Sequence, residues 1–173
     1  MRVACCGLTT LDVVQCTDRF PAPDEKLQAT STLMEFGGPA ANAAFTAAAL
    51  GASATLVSAV GGGSVGRLVG EQLADASIDL LDLAGEDWQA PVSSVIVSGA
   101  NRAVVSMNAS DAAPRGLPDD ALDGCSALLV DGHHLDLCVN AARRARTFGI
   151  PVLLDGGSWK PGLNRLLPLI DAA

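Results

Sequence analysis

Two adjacent glycines followed by an alanine-rich segment form the most distinctive stretch of the sequence. Gly37 and Gly38 are followed four residues later by Asn42. A ligand can approach glycines closely, because they have no Cβ and accept positive φ. The first turn of the helix that alanine favours offers unpaired N–H groups. This pattern predicts a pocket for a small polar molecule; alternatively, the glycines form a plain turn and Asn42 satisfies amides at the helix start.

A carboxylate follows the first apolar segment. Asp12 ends the sequence GLTTLD over residues 7–12. Open α/β sheets bind ligands at the carboxyl ends of their strands, which is where this residue is expected. A carboxylate that accepts hydrogen bonds from hydroxyls contributes about 1.5–3 kcal/mol for each bond, which favours a polyol over an apolar molecule. Asp12 is therefore a candidate ligand for two hydroxyls, and the alternative is a solvated aspartate in a turn.

Two further loops carry polar side chains after apolar segments. The first has the sequence DGHH over residues 131–134, and the second has DGGS over residues 155–158. Because the carboxyl ends of parallel strands meet at one edge of a sheet, the side chains of the first loop are expected to face the ligand crevice. Two adjacent histidines without a third ligand do not predict a metal site, and a surface turn explains them equally well.

A competing motif lies further along the chain. Residues 61–66, GGGSVG, fit the pattern G-x-G-x-x-G between a predicted strand and a predicted helix. In dinucleotide-binding folds this turn is completed by an acidic residue about 20 positions later, and Asp79 or Asp82 meets that condition. The motif alone is a weak indication, but it keeps an NAD-binding protein open as an alternative.

The elements that position these residues are predicted from hydrophobic patterning and from glycine and proline stops. Alanine loses no side-chain entropy in a helix, which predicts a helix that starts at residue 40 and stops at Gly51. Residues 98–102 separate two extended segments and indicate a hairpin. Helices are predicted over residues 40–50, 65–76 and 135–148, and strands over residues 3–8, 13–20, 27–36, 54–60, 78–83, 92–97, 103–107, 128–130 and 151–154.

The order of these elements predicts an α/β fold. Strands that alternate with helices form a mostly parallel sheet with helices on both faces. The polar-patterned extended segments predict a small accessory β layer. The 173 residues suit one domain, which at this size buries about 70% of the surface that the unfolded chain exposes.

Composition and charge exclude several classes of partner. The net charge of −8 argues against nonspecific binding to nucleic acid or to an acidic membrane, which requires clustered Lys and Arg. The chain has neither an apolar run of membrane-spanning length nor a basic and then apolar leader at its start, which indicates a cytoplasmic protein. Its cysteines are odd in number and lack metal-ligand spacing, so buried free thiols are expected. They are Cys5, Cys6, Cys16, Cys125 and Cys138.

The segment from residue 37 to residue 61 resembles the first signature of the PfkB, or ribokinase-like, carbohydrate kinases. That signature has paired small residues, an Asn, a small residue two positions later, and two glycines about ten residues apart after the helix. The matching residues are Gly37, Gly38, Asn42, Ala44, Gly51 and Gly61. The resemblance extends over nearly all of the chain, since the predicted elements follow the same order. It implies a ribokinase-like sheet flanked by helices, with lid strands inserted at about 13–36 and 92–108.

The resemblance also implies a chemistry and roles for individual residues. The family transfers the γ-phosphoryl group of ATP, with Mg²⁺, to a sugar hydroxyl, and its lids often pair between subunits of a homodimer. Asp12 matches the aspartate that binds sugar hydroxyls in similar kinases, and His133 matches a polar residue on the substrate side. Asp155 matches a polar residue near the nucleotide phosphates or Mg²⁺. The substrate-binding set is Asp12, Gly37, Gly38, Asn42 and His133.

The chain departs from the family pattern in two places. Gly63 and Ser64 stand where relatives usually have an acidic residue in the glycine-rich turn. The second signature, a Gly-Ala-Gly-Asp turn that supplies the catalytic aspartate and the anion hole, does not occur between residues 1 and 173. The catalytic base is therefore expected beyond residue 173, and residues 1–173 are interpreted as the N-terminal portion of one kinase domain without its ATP-binding portion.

Three functions follow from these observations. The first is the substrate-binding part of an ATP-dependent sugar kinase, inactive by itself. The second is a noncatalytic sugar-binding or regulatory domain, and the third is the NAD-binding protein. Ribose, fructose, a sugar acid, a phosphosugar and a nucleoside all remain open as substrates, because a fold does not determine specificity.

Overall fold

The computed structural model describes residues 1–85, 87–107 and 114–173. These residues contain nine strands, three α-helices and two short 3₁₀ helices. The strands are β1 (Arg2–Cys6), β2 (Thr10–Cys16), β3 (Ser31–Gly37), β4 (Ser53–Ser58), β5 (Ile78–Asp82), β6 (Val92–Ser98), β7 (Asn101–Ser106), β8 (Ala127–Val130) and β9 (Val152–Leu154). The α-helices are α1 (Pro39–Ala49), α2 (Ser64–Asp75) and α3 (Leu135–Thr147), and the 3₁₀ helices cover Leu163–Arg165 and Leu167–Leu169.

The larger sheet has five parallel strands in the order β5-β4-β1-β8-β9. Its central strands are short apolar runs, as expected for a parallel sheet that is covered on both faces. The helices α1 and α2 pack on one face around Leu56, Val69 and Leu73. The helix α3 packs on the other face around Leu128 and Val130. The predicted α/β architecture is therefore confirmed.

The residue types of α1 determine where this helix begins, how closely it packs on the sheet and where it ends. Pro39 occupies the first turn, where its missing N–H is not needed. Ala40, Ala41 and Ala44 are completely buried, and their small side chains let the helix axis lie close to the sheet. Gly51 follows the helix with a φ of 87°, as predicted for its stop.

The smaller sheet is the predicted accessory layer, with the order β3-β2-β6-β7. Its β2 follows the carboxyl end of β1 after three residues. The strands β2 and β6 pair in parallel, whereas β3 and β7 pair antiparallel with their neighbours. The predicted hairpin is present, with Gly99 in its turn at a φ of 56°. Residue 108, the predicted end of the lid, lies outside the described residues.

The strand boundaries in this layer differ from those predicted. The strand β2 starts at Thr10 and ends at Cys16, whereas an extended segment was expected over residues 13–20. The strand β3 begins at Ser31 rather than at residue 27. The amide of Thr30 donates to the carbonyl of Cys16 at 2.8 Å, which closes the loop between the strands. The apolar residues of this loop therefore belong to a connection and not to the sheet.

Within the described ranges, no α-helix is both long enough and apolar enough to cross a membrane.

Candidate functional site

A buried carboxylate joins three segments at the carboxyl edge of the larger sheet. Asp131 follows β8 and is 1% exposed. Its Oδ2 accepts hydrogen bonds from the amide of Leu8 at 2.8 Å and from the amide of Ala40 at 3.1 Å. Its Oδ1 accepts the amide of His133 at 2.8 Å. The loop after β1, the first turn of α1 and the loop after β8 are thus held around one charged group.

The packing around the Asp131 carboxylate explains why residue 7 is a glycine. A Cβ at Gly7 would overlap the carboxyl group of Asp131, so only glycine fits under it. Sequence reasoning singled out His133 in this loop and missed Asp131 itself. The signal available was an aspartate directly after a buried strand and directly before a glycine. It could not reveal the partners, because the amides of Leu8 and Ala40 lie 123 and 91 residues away.

Asp12 lies in the smaller sheet, which corrects its predicted position. It is the third residue of β2, opposite Glu35 and Ser93, rather than part of a loop at the end of β1. Its Oδ1 accepts a hydrogen bond from the hydroxyl of Thr10 at 2.7 Å. A Cβ at Gly37 would overlap the Asp12 carboxylate, so this carboxylate lies directly over the Gly37 backbone. The structure therefore brings these two predicted residues together.

Gly38 and Asn42 lie at the start of α1. Gly38 is the N-cap with a φ of 95°, and a Cβ there would contact the backbone of Leu8. Among the described residues, no side chain caps the helix. The alternative interpretation, in which Asn42 satisfies the first amides of the helix, is therefore wrong. The exposed Asn42 side chain lines a cavity of about 680 Å³, the α1 cavity, together with Gly38 and Asp155. Three predicted residues therefore share one cavity.

His133 lies on the other side of Asp131. Its Nδ1 is 3.3 Å from Oδ1 of Asp131, and about four fifths of its side chain is buried. It lines a second cavity of about 740 Å³, the α3 cavity, at the start of α3. Lys160 lines the same cavity, and its Nζ is 3.4 Å from the carbonyl oxygen of Asp131. His133 therefore does not share the α1 cavity with Gly38, Asn42 and Asp155.

Asp155 is the residue that was predicted to lie near the nucleotide phosphates or Mg²⁺. It follows β9, is exposed, and its amide donates to the Val130 carbonyl at 2.9 Å. In the part of the chain that the structure describes, no group of three or more His, Cys, Asp or Glu side chains could hold a metal ion. One exposed carboxylate is not by itself a binding site for Mg²⁺ or ATP. The described residues therefore do not form a complete site for either.

In the glycine-rich turn after β4, backbone atoms of the same chain fill the space beside two of the glycines. A Cβ at Gly66 would overlap the carbonyl oxygen of Gly61, and one at Gly61 would overlap the carbonyl oxygen of Trp88. The Asp82 carboxylate accepts the amides of Val60 and Gly61, each at 2.9 Å. The acidic residue that the NAD interpretation requires therefore holds the turn itself, and Asp79 is an exposed residue of β5.

The five cysteines are free thiols, of which Cys5, Cys6 and Cys138 are buried and the other two are half-buried. Burial, with a smaller contribution from the charge of Asp131, raises the pKa of the Cys5 thiol to about 12. The neighbouring Cys138 and burial raise the pKa of Cys6 well above its ordinary value. Both thiols are therefore protonated at neutral pH and act as small apolar core groups.

The fold and the two cavities define an α/β protein with a covered parallel sheet and a β layer at its carboxyl edge. The model of the pfkB family carbohydrate kinases matches residues 1–173, and the chain therefore belongs to this family. This result confirms the resemblance found in the signature around Gly37, and it leaves the NAD interpretation without support.

Solved structures agree on the ribokinase-like fold. A protein of Agrobacterium tumefaciens assigned as a ribokinase superimposes with a TM-score of 0.85 at 24% identity, over 97% of this chain and 56% of that one. A PfkB family carbohydrate kinase of Listeria grayi gives a TM-score of 0.78 at 19% identity, over 99% and 59%. The ribokinase of Arabidopsis thaliana, solved with ribose and ATP, gives 0.75 at 22% identity, over 98% and 58%. The chain thus spans a little over half the length of these relatives.

Proposed function

We propose that this chain is the substrate-binding part of a carbohydrate kinase that transfers the γ-phosphoryl group of ATP to a sugar hydroxyl. The observation that carries the proposal is the Asp12 carboxylate held over the Gly37 backbone, beside the glycine N-cap of α1. The half-buried Asp12 carboxylate is suited to accept hydrogen bonds from two hydroxyls of a polyol. Membership of the pfkB family carbohydrate kinases supports the same substrate class.

In this proposal the residues from the two sheets have different roles. Asp12 accepts the hydroxyls, Gly37 and Gly38 let the sugar approach the backbone, and the Asn42 amide contacts it from α1. His133, whose amide donates to Asp131, lines the α3 cavity and is proposed to contact the sugar from the loop after β8, on the other side of Asp131. The smaller sheet acts as a lid that excludes water, so that hydrolysis of ATP does not compete with transfer to the sugar.

The use of ATP by this protein is inferred from its relatives, one of which was solved with ATP and ribose. Asp155 is the candidate contact to nucleotide phosphates or Mg²⁺, since it directly follows β9 and lines the α1 cavity. The described residues do not complete a Mg²⁺ site, so no catalytic step is assigned to them. The catalytic aspartate is proposed to lie beyond residue 173, and the 173-residue chain alone is then inactive.

Calorimetric titration with ribose and with fructose tests the substrate-binding role. Asp12→Asn keeps the shape of the side chain but loses the charge, so we expect affinity for the bound sugar to fall at least about tenfold. Asp18→Asn makes the same charge change at an exposed position after β2 and should leave affinity within about twofold. Equal sugar binding by wild type and Asp12→Asn would contradict the proposal.

The noncatalytic sugar-binding domain stays as the alternative function. Both proposals predict sugar binding, and they differ in turnover by the longest natural form of the protein. ATP-dependent phosphorylation of the bound sugar favours the kinase, whereas binding without turnover favours the regulatory domain.

We also propose that the protein is a cytoplasmic homodimer that pairs through its lid. Free thiols favour a reducing compartment. The smaller sheet leaves large apolar side chains exposed, and a second copy could cover them. These include Leu33, Met34, Val104 and Val105. Sedimentation velocity that finds only monomers at high protein concentration would overturn the dimer.

A further inference from the structure

The α3 cavity concentrates positive charge in an acidic protein. It is lined by Arg115, Lys160 and Arg165, and by one carboxylate, that of Asp136, whereas the whole chain has a net charge of −8. Asp136 pairs with Arg165 at 2.7 Å. Neither Arg115 nor Lys160 forms an ion pair within the described residues. Among the described residues, these two cationic side chains thus contact only neutral oxygen atoms, and the Nη2 of Arg115 lies 3.5 Å from the carbonyl oxygen of Asp82.

Within the described residues, the Lys160 ammonium group contacts neutral oxygen atoms only. Its Nζ lies 3.3 Å from the carbonyl oxygen and 3.3 Å from the hydroxyl of Ser158, and 3.4 Å from the carbonyl oxygen of Asp131. These contacts orient the ammonium group without neutralising it. Its residual charge is available to an anion in the cavity.

The amino end of α3 forms a wall of the same cavity. Its hydrogen-bond ladder begins with the amide of Cys138, which donates to the His134 carbonyl at 3.1 Å. The amides of Leu135, Asp136 and Leu137 precede the ladder, and no side chain caps the helix. All three residues line the cavity. Because the helix has 13 residues, its dipole also favours negative charge at this end.

A buried imidazole gives independent evidence of a missing polar partner. His134 lines the cavity, is 9% exposed and has a left-handed φ of 48°. Neither ring nitrogen has a hydrogen-bond partner among the described residues. Buried polar side chains are nearly always hydrogen-bonded in folded proteins. Both nitrogens are buried and the ring packs edge-on against Trp88, with 6.5 Å between the ring centroids, so His134 marks an incompletely satisfied polar position in the cavity wall and is assigned no contact to the ligand.

We propose that the α3 cavity binds an oxyanion group: a phosphate, a sulfonate or a carboxylate. Lys160 and Arg115 supply charge, and the amides at the start of α3 supply directed donors. Such donors match the several acceptor oxygens of an oxyanion, whereas a neutral sugar would leave the two cations unneutralised. The site goes beyond the proposed function, which requires a sugar with neutral hydroxyls and no anionic group, although His133 lines this cavity as well.

Titration calorimetry with inorganic phosphate, at constant ionic strength in chloride, tests the site. Wild type should bind one phosphate per chain, and Lys160→Gln should bind it about tenfold more weakly, since a charge-assisted contact is lost. Lys26→Gln removes the only other lysine, which is exposed after β2, and should change affinity less than about twofold. Absence of phosphate binding by wild type, or equal weakening by the two variants, would overturn the proposal.

A second variant predicts a change of opposite sign. Asp136→Asn removes the one carboxylate among the described residues that line the cavity and releases Arg165, so phosphate affinity should rise severalfold. Unchanged or weaker binding by a variant with wild-type circular dichroism would count against the site. An increase in affinity cannot come from partial unfolding, which makes this variant independent of Lys160→Gln.

Titrations with ribose 5-phosphate and ribose distinguish the two sources of the oxyanion. Tighter binding of ribose 5-phosphate than of inorganic phosphate, weakened by both Lys160→Gln and Asp12→Asn, assigns the site to a substrate that carries the anionic group. Equal affinities, sensitive to Lys160→Gln alone, assign it to a separate small anion. If no sugar binds while phosphate binding still depends on Lys160, the proposed sugar site fails and the oxyanion site stands.

Discussion

Asp131 is a charged side chain in a place where charge is costly. Removing a carboxylate from water carries a penalty of several kcal/mol unless hydrogen bonds compensate for it. Three backbone amides, those of Leu8, Ala40 and His133, donate to its two oxygens. The amide of Ala40 belongs to the first turn of α1, where the helix dipole also favours a negative charge. The residue is thus satisfied by groups that the fold brings to it.

Replacing Asp131 by asparagine should destabilise the protein. The amide nitrogen cannot accept a hydrogen bond, and a contact to a charged acceptor contributes about 1.5–3 kcal/mol, so we expect the free energy of unfolding to fall by about 2–4 kcal/mol. Urea denaturation followed by circular dichroism measures this change. Asp79→Asn, at an exposed position of β5, should change it by less than about 0.5 kcal/mol. Comparable losses in the two variants would refute the proposed role.

His134 should make stability depend on pH. Burial lowers the pKa of its imidazole below the ordinary value of 6.5, the charge of Asp131 opposes this effect, and His133 adds to it. The folded protein therefore keeps His134 neutral where the unfolded chain already binds a proton. Stability is fully present above about pH 7 and is lost as the pH falls through 6.5 towards the lowered pKa.

Asn tolerates the left-handed backbone at this position, so His134→Asn removes the titration with little strain. The loss of unfolding free energy between pH 7.5 and about pH 5 should be smaller in the variant than in wild type. Urea denaturation in phosphate-free buffer measures both slopes, and His133 is retained in both proteins. Identical slopes would show that burial of His134 does not control this pH dependence.

At the scale of elements, α2 contains two glycines in different surroundings. A Cβ at Gly66 would overlap the carbonyl oxygen of Gly61, whereas one at Gly70 would meet nothing within 4 Å. The close approach at Gly66 lets the helix begin directly against the turn after β4. The sequence motif therefore reflects the packing of a helix against its own loop.

Alanine at these two positions should have opposite effects. Gly66→Ala forces the turn away from the helix, and we expect a loss of about 1–3 kcal/mol in the free energy of unfolding. Gly70→Ala should gain about 0.5–1 kcal/mol, because alanine restricts the unfolded chain and favours the helix. Thermal and urea denaturation of both variants measure the effects. A stabilising Gly66→Ala would contradict the packing described here.

At the scale of the whole molecule, the candidate site residues come from both sheets. The larger sheet supplies Asp131 and Asp155 from the ends of its strands, and the smaller sheet supplies Asp12. Gly37 joins them, because it ends β3 and directly precedes the start of α1. The site is therefore built from segments that are distant in sequence, and each sheet alone carries only part of it.

The sequence predicted the helices and the parallel strands well, since their signals are local. The stop of α1 at Gly51, the buried run of β4 and the hairpin turn at Gly99 each depend on neighbouring residues. The strand boundaries around β2 and β3 were misplaced, because apolar residues in a loop have the same pattern as those in a strand. Pairing with β3 and with β6, the latter about 80 residues away, decides where β2 begins and ends.

The sequence by itself determined the α/β class, the glycine pair at the start of α1 and the family, because each depends on residues close together in the chain. Only the tertiary structure decided that Asp12 lies in a strand over Gly37, that Asp131 holds two distant amides, and that Lys160 and the start of α3 share a cavity. Hydrogen bonds and charges act through space, and no local pattern shows which distant segments will meet. The chemistry of this chain therefore depends on pairings that the fold creates.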